Sequence, residues 1–224
     1  MKKLIIVLLV SLSVNVFAQK EIKEGVIKTK MTMSSEDSQL NSQLAMMGDM
    51  TMSTEFKGKN SRTEMNNPMA GKNVTIVNSD EKKMMMLLDN PMMGKKYRTN
   101  DIKDISEEDL KNISVKEKGD TKTILGYVCK GYDIVVKTDG VENKMTMYTT
   151  EKIKAVNQNT TVLGSKAVGF PMYMTMDINQ AGMTMTMTME VTEINSQKID
   201  DAKFKLTVPE GYTKMEAPKP ATID

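Results

Sequence analysis

Residues 183–189 read Met-Thr-Met-Thr-Met-Thr-Met. Strict alternation has a period of two, and a β-strand sends successive side chains to opposite faces. One face therefore carries thioethers and the other hydroxyls. Thr suits a pleated, half-solvated surface, and Met suits an apolar space that must adapt its shape. The stretch reads as one strand of a soft-walled β structure.

The pattern recurs along the chain. Residues 25–33 set Ile27, Thr29, Met31 and Met33 on one face, and 50–56 do the same with Met50, Met52, Thr54 and Phe56. A two-residue turn at Gly58-Lys59 returns the chain into 62–65 and pairs Met52 with Met65 and Thr54 with Thr63. Asp139-Gly140 is a second hairpin signal, between 127–137 and a strand with Met145 and Met147; it pairs Ile134 with Met145 and Tyr132 with Met147. Gly169-Phe170-Pro171 opens the closing hairpin, which runs through Met172, Met174 and Met176 and turns at Asn179-Gln180-Ala181-Gly182. This register sets Met176 opposite Met185, Met174 opposite Met187 and Met172 opposite Met189. The result is a six-methionine ladder with Cβ separations of about 4.5–5.5 Å in each pair.

Between these hairpins the signals are shorter. Residues 34–49 read as a short amphipathic helix through Leu40, Leu44 and Met47, with Ser34 or Ser35 as cap. Strands 74–77 and 84–88 are joined by the polar Ser79-Asp80-Glu81-Lys82, and 96–99 gives a weaker strand. The segments 67–72 and 90–95 are Pro- and Gly-containing turns. In an up-and-down meander, 34–49, 67–72 and 90–95 fall at one end of the sheet and the polar turns at the other. Leu40, Leu44, Met46, Met47, Met69, Met92 and Met93 then gather as an apolar mouth. Further on, Ser106 caps a helix over 106–112, and 121–125 is a strand. A helical turn is assigned weakly to 151–164, a last strand to 203–208 and a frayed tail to 217–224.

Composition removes several kinds of function. Lys2 and Lys3 precede an apolar run over 4–16, and Val16-Phe17-Ala18 places small residues before a cut at Gln19. Residues 1–18 therefore read as a secretory signal, with the run too short to span a bilayer and no transmembrane segment after cleavage. No Cys follows the cut directly, so the expected product is periplasmic or secreted and not a lipoprotein. The chain has 31 basic and 29 acidic residues; without Lys2 and Lys3 the two counts are equal. A neutral chain with 4% aromatics and no Trp offers little to nucleic acid. Histidine is absent, which removes Ser-His and Cys-His catalysis and imidazole metal sites. A single cysteine, Cys129, allows no intramolecular disulfide. With no nucleophile–base pair, phosphate loop or zinc spacing, neither an enzyme nor a cofactor is expected.

Local motifs then add a resemblance. They are Thr123-Ile124-Leu125-Gly126-Tyr127-Val128-Cys129-Lys130-Gly131-Tyr132, Tyr148-Thr149-Thr150-Glu151-Lys152-Ile153, Gly169-Phe170-Pro171-Met172, Ile199-Asp200-Asp201 and Val208-Pro209-Glu210-Gly211-Tyr212. Together with the signal segment they resemble a secreted bacterial family labelled as a domain of unknown function. That family is distantly similar to the periplasmic outer-membrane lipoprotein carriers of the LolA/LolB type. The resemblance implies a mainly β fold over 19–216: a single curved antiparallel sheet, an incompletely closed barrel, with a few short helices on its concave side or at one mouth. In the carriers such a concavity holds acyl chains.

The methionine count, 24, is far above ordinary usage and sets the functional expectation. Heavy use of Met goes with surfaces that accommodate varied partners. The expected ligand is a lipid or other hydrophobic small molecule, held by Met31, Met33, Met52, Met145, Met147, Met172, Met174, Met176, Met185, Met187 and Met189. Envelope proteins are further candidate partners. The alternatives are a Cu(I) or Ag(I) site on Met174, Met176, Met185 and Met187, since thioethers are soft ligands, and a structural module whose Met faces are simply core.

Overall fold

The computed structural model describes residues 20–67, 71–138, 141–156, 161, 163–180 and 183–215. The expected signal over 1–18, the tail over 217–224 and the Asp139-Gly140 turn lie outside them.

Alternating stretches pair with their sequence neighbours. β1 (Glu24–Ser35), β2 (Met50–Lys57), β3 (Asn60–Asn67), β4 (Gly71–Asn78), β5 (Lys83–Asn90) and β6 (Gly94–Asp101) form an antiparallel meander, with α1 (Ser38–Met47) between β1 and β2. α2 (Glu107–Lys111) leads into a second meander of β7 (Ile113–Ile124), β8 (Tyr127–Thr138), β9 (Val141–Thr150), β10 (Phe170–Gln180) and β11 (Met183–Asn195). β11 pairs with β1 and joins the two into one sheet, in the order β12-β6-β5-β4-β3-β2-β1-β11-β10-β9-β8-β7. The short β12 (Thr213–Lys214) lies parallel to β6; the other pairings are antiparallel.

The sheet is open, because β7 and β12 end the order unpaired to each other, and it must curl. β6 and β7 lie ten steps apart, about 48 Å if flat. The connection 102–112 includes the helical residues of α2 and reaches no more than about 35 Å. It therefore spans the arc as a chord, on the concave side. Leu110 of α2 packs on the cluster of Met145, Met147, Met174 and Met189, which identifies the methionine face as the concave one.

Four hairpin pairings match their turn signals: Met52 with Met65, Thr54 with Thr63, Ile134 with Met145 and Tyr132 with Met147. Four expectations are corrected. α1 is capped by Asp37, whose Oδ1 accepts the Leu40 N–H at 2.7 Å, because Ser34 and Ser35 are still paired to β11. β7 begins at Ile113 rather than 121; its charged residues hide an edge strand with two solvated faces. The helical turn assigned to 151–164 is absent from 151–156, where Ile153 bridges to Ile22; Thr161 is helical, and 157–160 and 162 lie outside the described residues. Residues 203–208 do not form a strand. Asp200 caps a 3-10 turn, Asp201–Phe204, and 205–209 continue without ladder pairing.

That last segment builds a second core on the convex side. Val74 and Ile76 of β4, and Met85 and Leu87 of β5, point away from the face of Met52 and Met65. They are buried under Leu206, Tyr212 and Tyr97. The strap is tied down by Asn78 Nδ2 donating to the Phe204 carbonyl at 3.3 Å and the Met215 N–H donating to Tyr97 at 2.8 Å.

Candidate functional site

Alternation on each strand, read with the observed registers, gives continuous rows of thioethers across the concave face. The inner row runs Tyr132–Met147–Met174–Met189–Met31–Met50 over six strands, β8 to β2. The outer row runs Ile134–Met145–Met176–Met187–Met33. A third, Ile178–Met185–Ser35, follows toward the strand ends. The ladder is thus shifted by two residues from the expected one. Asn179 and Gln180 belong to β10, so the loop narrows to 181–182, outside the described residues. A shift of two keeps the face, so Met174, Met176, Met185, Met187 and Met189 stay together with new partners.

Met172 leaves the ladder. A register shift between Pro171 and Tyr173 sends it into another cluster with Ile27, Phe56, Cys129, Phe170 and Val191. Met52 remains on the wall beside Met65, one strand beyond the rows.

Burial grades across the wall. Met147 is 0% and Met174 2% exposed, beneath the fully buried Leu163. Met31, Met33, Met52, Met176, Met185 and Met187 are each half-buried. The wall therefore passes from sealed to accessible within one row.

The lid over its sealed part was not legible from the motifs. Lys166 Nζ donates to the carbonyls of Leu110 and Ile113, both at 2.6 Å, and so ties the 163–169 segment to the C-terminal end of α2. Gly164 has φ +52°, and a Cβ there would lie 3.2 Å from Ile105 and Leu110, so a side chain at this position would be strained. The helix signal at Ser106 pointed toward Leu110, but nothing local marks Leu163 or Lys166. Met50, read on this face but not among the expected ligand residues, and Ile178 are further row members.

The mouth residues are placed less tightly. Strand directions put α1, the turn at 91–93, the C-terminal ends of β3, β8 and β10 and the N-terminal ends of β4, β9 and β11 at one end. Leu44 is buried and Leu40 half-buried, whereas Met46 is 77% and Met92 92% exposed, with Met93 also exposed. Met69 and the Met47 side chain lie outside the described residues. At the opposite end an open cavity of about 510 Å³ lies between the Gly58-Lys59 turn and the 151–170 segment. Ile153, Ala155, Val156 and Phe170 line it, with Lys59 and Lys154 among its polar residues.

Cys129 is fully buried, and its thiol donates to the Tyr127 carbonyl at 3.4 Å. Burial pushes its pKa up from 9.0 to about 11, which leaves a thiol rather than a thiolate near neutrality. Among the described residues no group of three His, Cys, Asp or Glu side chains converges on a metal position. No helix of the described residues is long and apolar enough to cross a membrane.

No curated protein matches the chain. Among solved structures it is similar to PNGF-II, with a TM-score of 0.45 and 13% identity over 86% of this chain and 31% of that one. The chain thus spans about a third of PNGF-II's length. It is also similar to the Mycobacterium tuberculosis lipoprotein LppX, with a TM-score of 0.36 and 6% identity over 79% of this chain and 89% of that one. Residues 24–212 match the family described as a domain of unknown function, DUF4412, and the chain belongs to that family.

Proposed function

We propose that this is an exported, non-catalytic protein that holds a hydrophobic ligand, a lipid or acyl chain, against its methionine-lined concavity. The observation that carries the reading is the gradient across the rows. Met147 and Met174 are sealed, while Met33, Met176, Met185 and Met187 present half-buried thioethers on the same wall. An alkyl chain laid on the open part completes a packing surface that the chain itself leaves unfinished. Each methylene it buries contributes about 0.8 kcal/mol, so ten give roughly 8 kcal/mol against an association cost of similar order. Unbranched Met side chains can follow chains of different shape without backbone movement. Export rests on residues 1–18 read as a cleaved signal, and places such a protein in the periplasm or outside the cell, where envelope proteins are the available partners.

The test uses displacement of a fluorescent fatty acid, together with native mass spectrometry of protein purified without detergent. Met176→Gln with Met187→Gln places amides on the open wall and is expected to weaken probe binding at least about 10-fold. The corresponding Leu pair keeps binding within about 3-fold. Protein that is consistently ligand-free and takes up no probe overturns the proposal and leaves a structural module.

A further inference from the structure

The outer row carries a second chemistry, which uses sulfur lone pairs rather than apolar area. We propose that Met33, Met187 and Met176 form a binding site for a soft monovalent cation, Cu(I) or Ag(I). Register places the three side by side on β1, β11 and β10, each facing the next directly across the ladder. Direct cross-strand neighbours have Cβ atoms about 4.5–5.5 Å apart, and three rotatable bonds per side chain let their sulfurs converge on one ion. All three are half-buried, so an ion can reach them, while Met145 closes the row on β9 as a buried neighbour. Met185, two residues along β11 on the same face, stands within reach as a fourth thioether.

The opposite face shows why the site selects soft ions. Alternation sends Glu142, Asp177 and Glu190, with the hydroxyls of Thr32, Thr175 and Thr188, to the convex side. There Asp177 accepts from Thr186 Oγ1 at 2.9 Å. The row itself offers no carboxylate, and the chain has no imidazole. Zn²⁺, Ca²⁺ and Cu(II) prefer nitrogen or oxygen donors and find none there, whereas thioethers suit d¹⁰ monovalent ions. Thioethers do not titrate, so affinity is flat between pH 5 and 8. Exposed Met46, on α1, and Met92 and Met93, on the turn between β5 and β6, stand outside the ladder and do not supply this arrangement.

The probe is Ag(I), added as nitrate in chloride-free buffer to protein carrying ¹³C at the methionine methyls. One equivalent is expected to move the ε-methyl resonances of Met33, Met176 and Met187 and leave those of Met46, Met92 and Met93 in place. The triple variant Met33→Leu/Met176→Leu/Met187→Leu loses about 30-fold or more in affinity, and Met46→Leu/Met92→Leu/Met93→Leu stays within about 3-fold of wild type. Circular dichroism and the unfolding midpoint establish that the row variant folds, and the methyl map on the unaltered protein does not depend on it. Retained Ag(I) affinity in a folded row variant, or shifts spread over Met46, Met92 and Met93, overturns the site. Ag(I) binding is read from methyl shifts and fatty-acid binding from probe displacement, both on the unaltered protein, so the two proposals fail separately.

Discussion

On the concave side of β1 and β9–β11 the sheet presents methionine, partly covered by Leu110 and Leu163 and otherwise half-open. On the convex side of β4 and β5 it presents Val74, Ile76, Met85 and Leu87, all buried beneath the chain's own strap. The two patches belong to one sheet and differ in stiffness. β-Branched side chains have few rotamers, and the strap over them is held by backbone pairing to β6 and by ion pairs such as Lys57–Asp201 at 2.7 Å. Exposed pairs of that kind contribute little, so the apolar cover carries the convex patch. Methionine has many rotamers, and its cover is fastened at few points, among them the Lys166 ammonium. One patch serves stability, and the other leaves a surface that can change its shape.

The largest effect expected from this contrast comes from removing the strap. A chain ending at Lys198 uncovers four buried side chains on the convex face. The expected cost is on the order of 5 kcal/mol, enough to unfold a marginal domain or to make it bind a hydrophobic dye. A truncated chain with an unchanged urea midpoint would show that the convex patch is not the stabilising one.

Next in size is a matched pair of truncations. Ile76→Ala, in the stiff patch, should cost about 4 kcal/mol, because Val74 and Leu87 cannot relax into the space and its partner Met85 is fully enclosed beneath the strap. Met174→Ala, equally buried but among flexible thioethers, should cost nearer 2 kcal/mol, because Met147 and Met189 can lean inward. Chemical denaturation of both variants measures the difference. Equal losses would mean that the methionine wall is as rigid as the aliphatic one.

The faces were legible in the sequence, whereas the long-range order was not. Two-residue loops fix the sum of the paired positions, so Met52–Met65 and Ile134–Met145 followed from Gly58-Lys59 and Asp139-Gly140 alone. At 179–182 several polar residues compete for the turn, and Asn179 instead pairs with Thr184, its Oδ1 accepting from the hydroxyl at 2.7 Å. The resulting shift of two preserved the face and changed every partner. The pairing of β1 with β11, which makes the rows continuous, joins distant segments and leaves no local signal. Residues 205–209 alternate like a strand, but Leu206 packs down on the convex patch instead of extending an edge.

Cys129 tests where the soft wall ends. It sits with Ile27, Phe56, Phe170 and Met172, beyond the register shift that takes Met172 out of the ladder. The thiol titrates near 9.0 when unfolded and near about 11 when folded, because burial penalises the thiolate. Between those values the unfolded chain ionises first and is favoured. Stability from this group is therefore complete below pH 9 and is lost as pH rises toward 11, by on the order of 2 kcal/mol. Tyr and Lys titrate in the same range, so the measure is the difference in pH slope between the unaltered protein and Cys129→Ala. A steeper fall in the unaltered protein, with negligible thiol labelling at pH 8, shows that the base of the wall is dry and closed. Parallel slopes with rapid labelling would mean that water reaches Cys129, and the accessible surface would then extend past the methionine rows into this cluster.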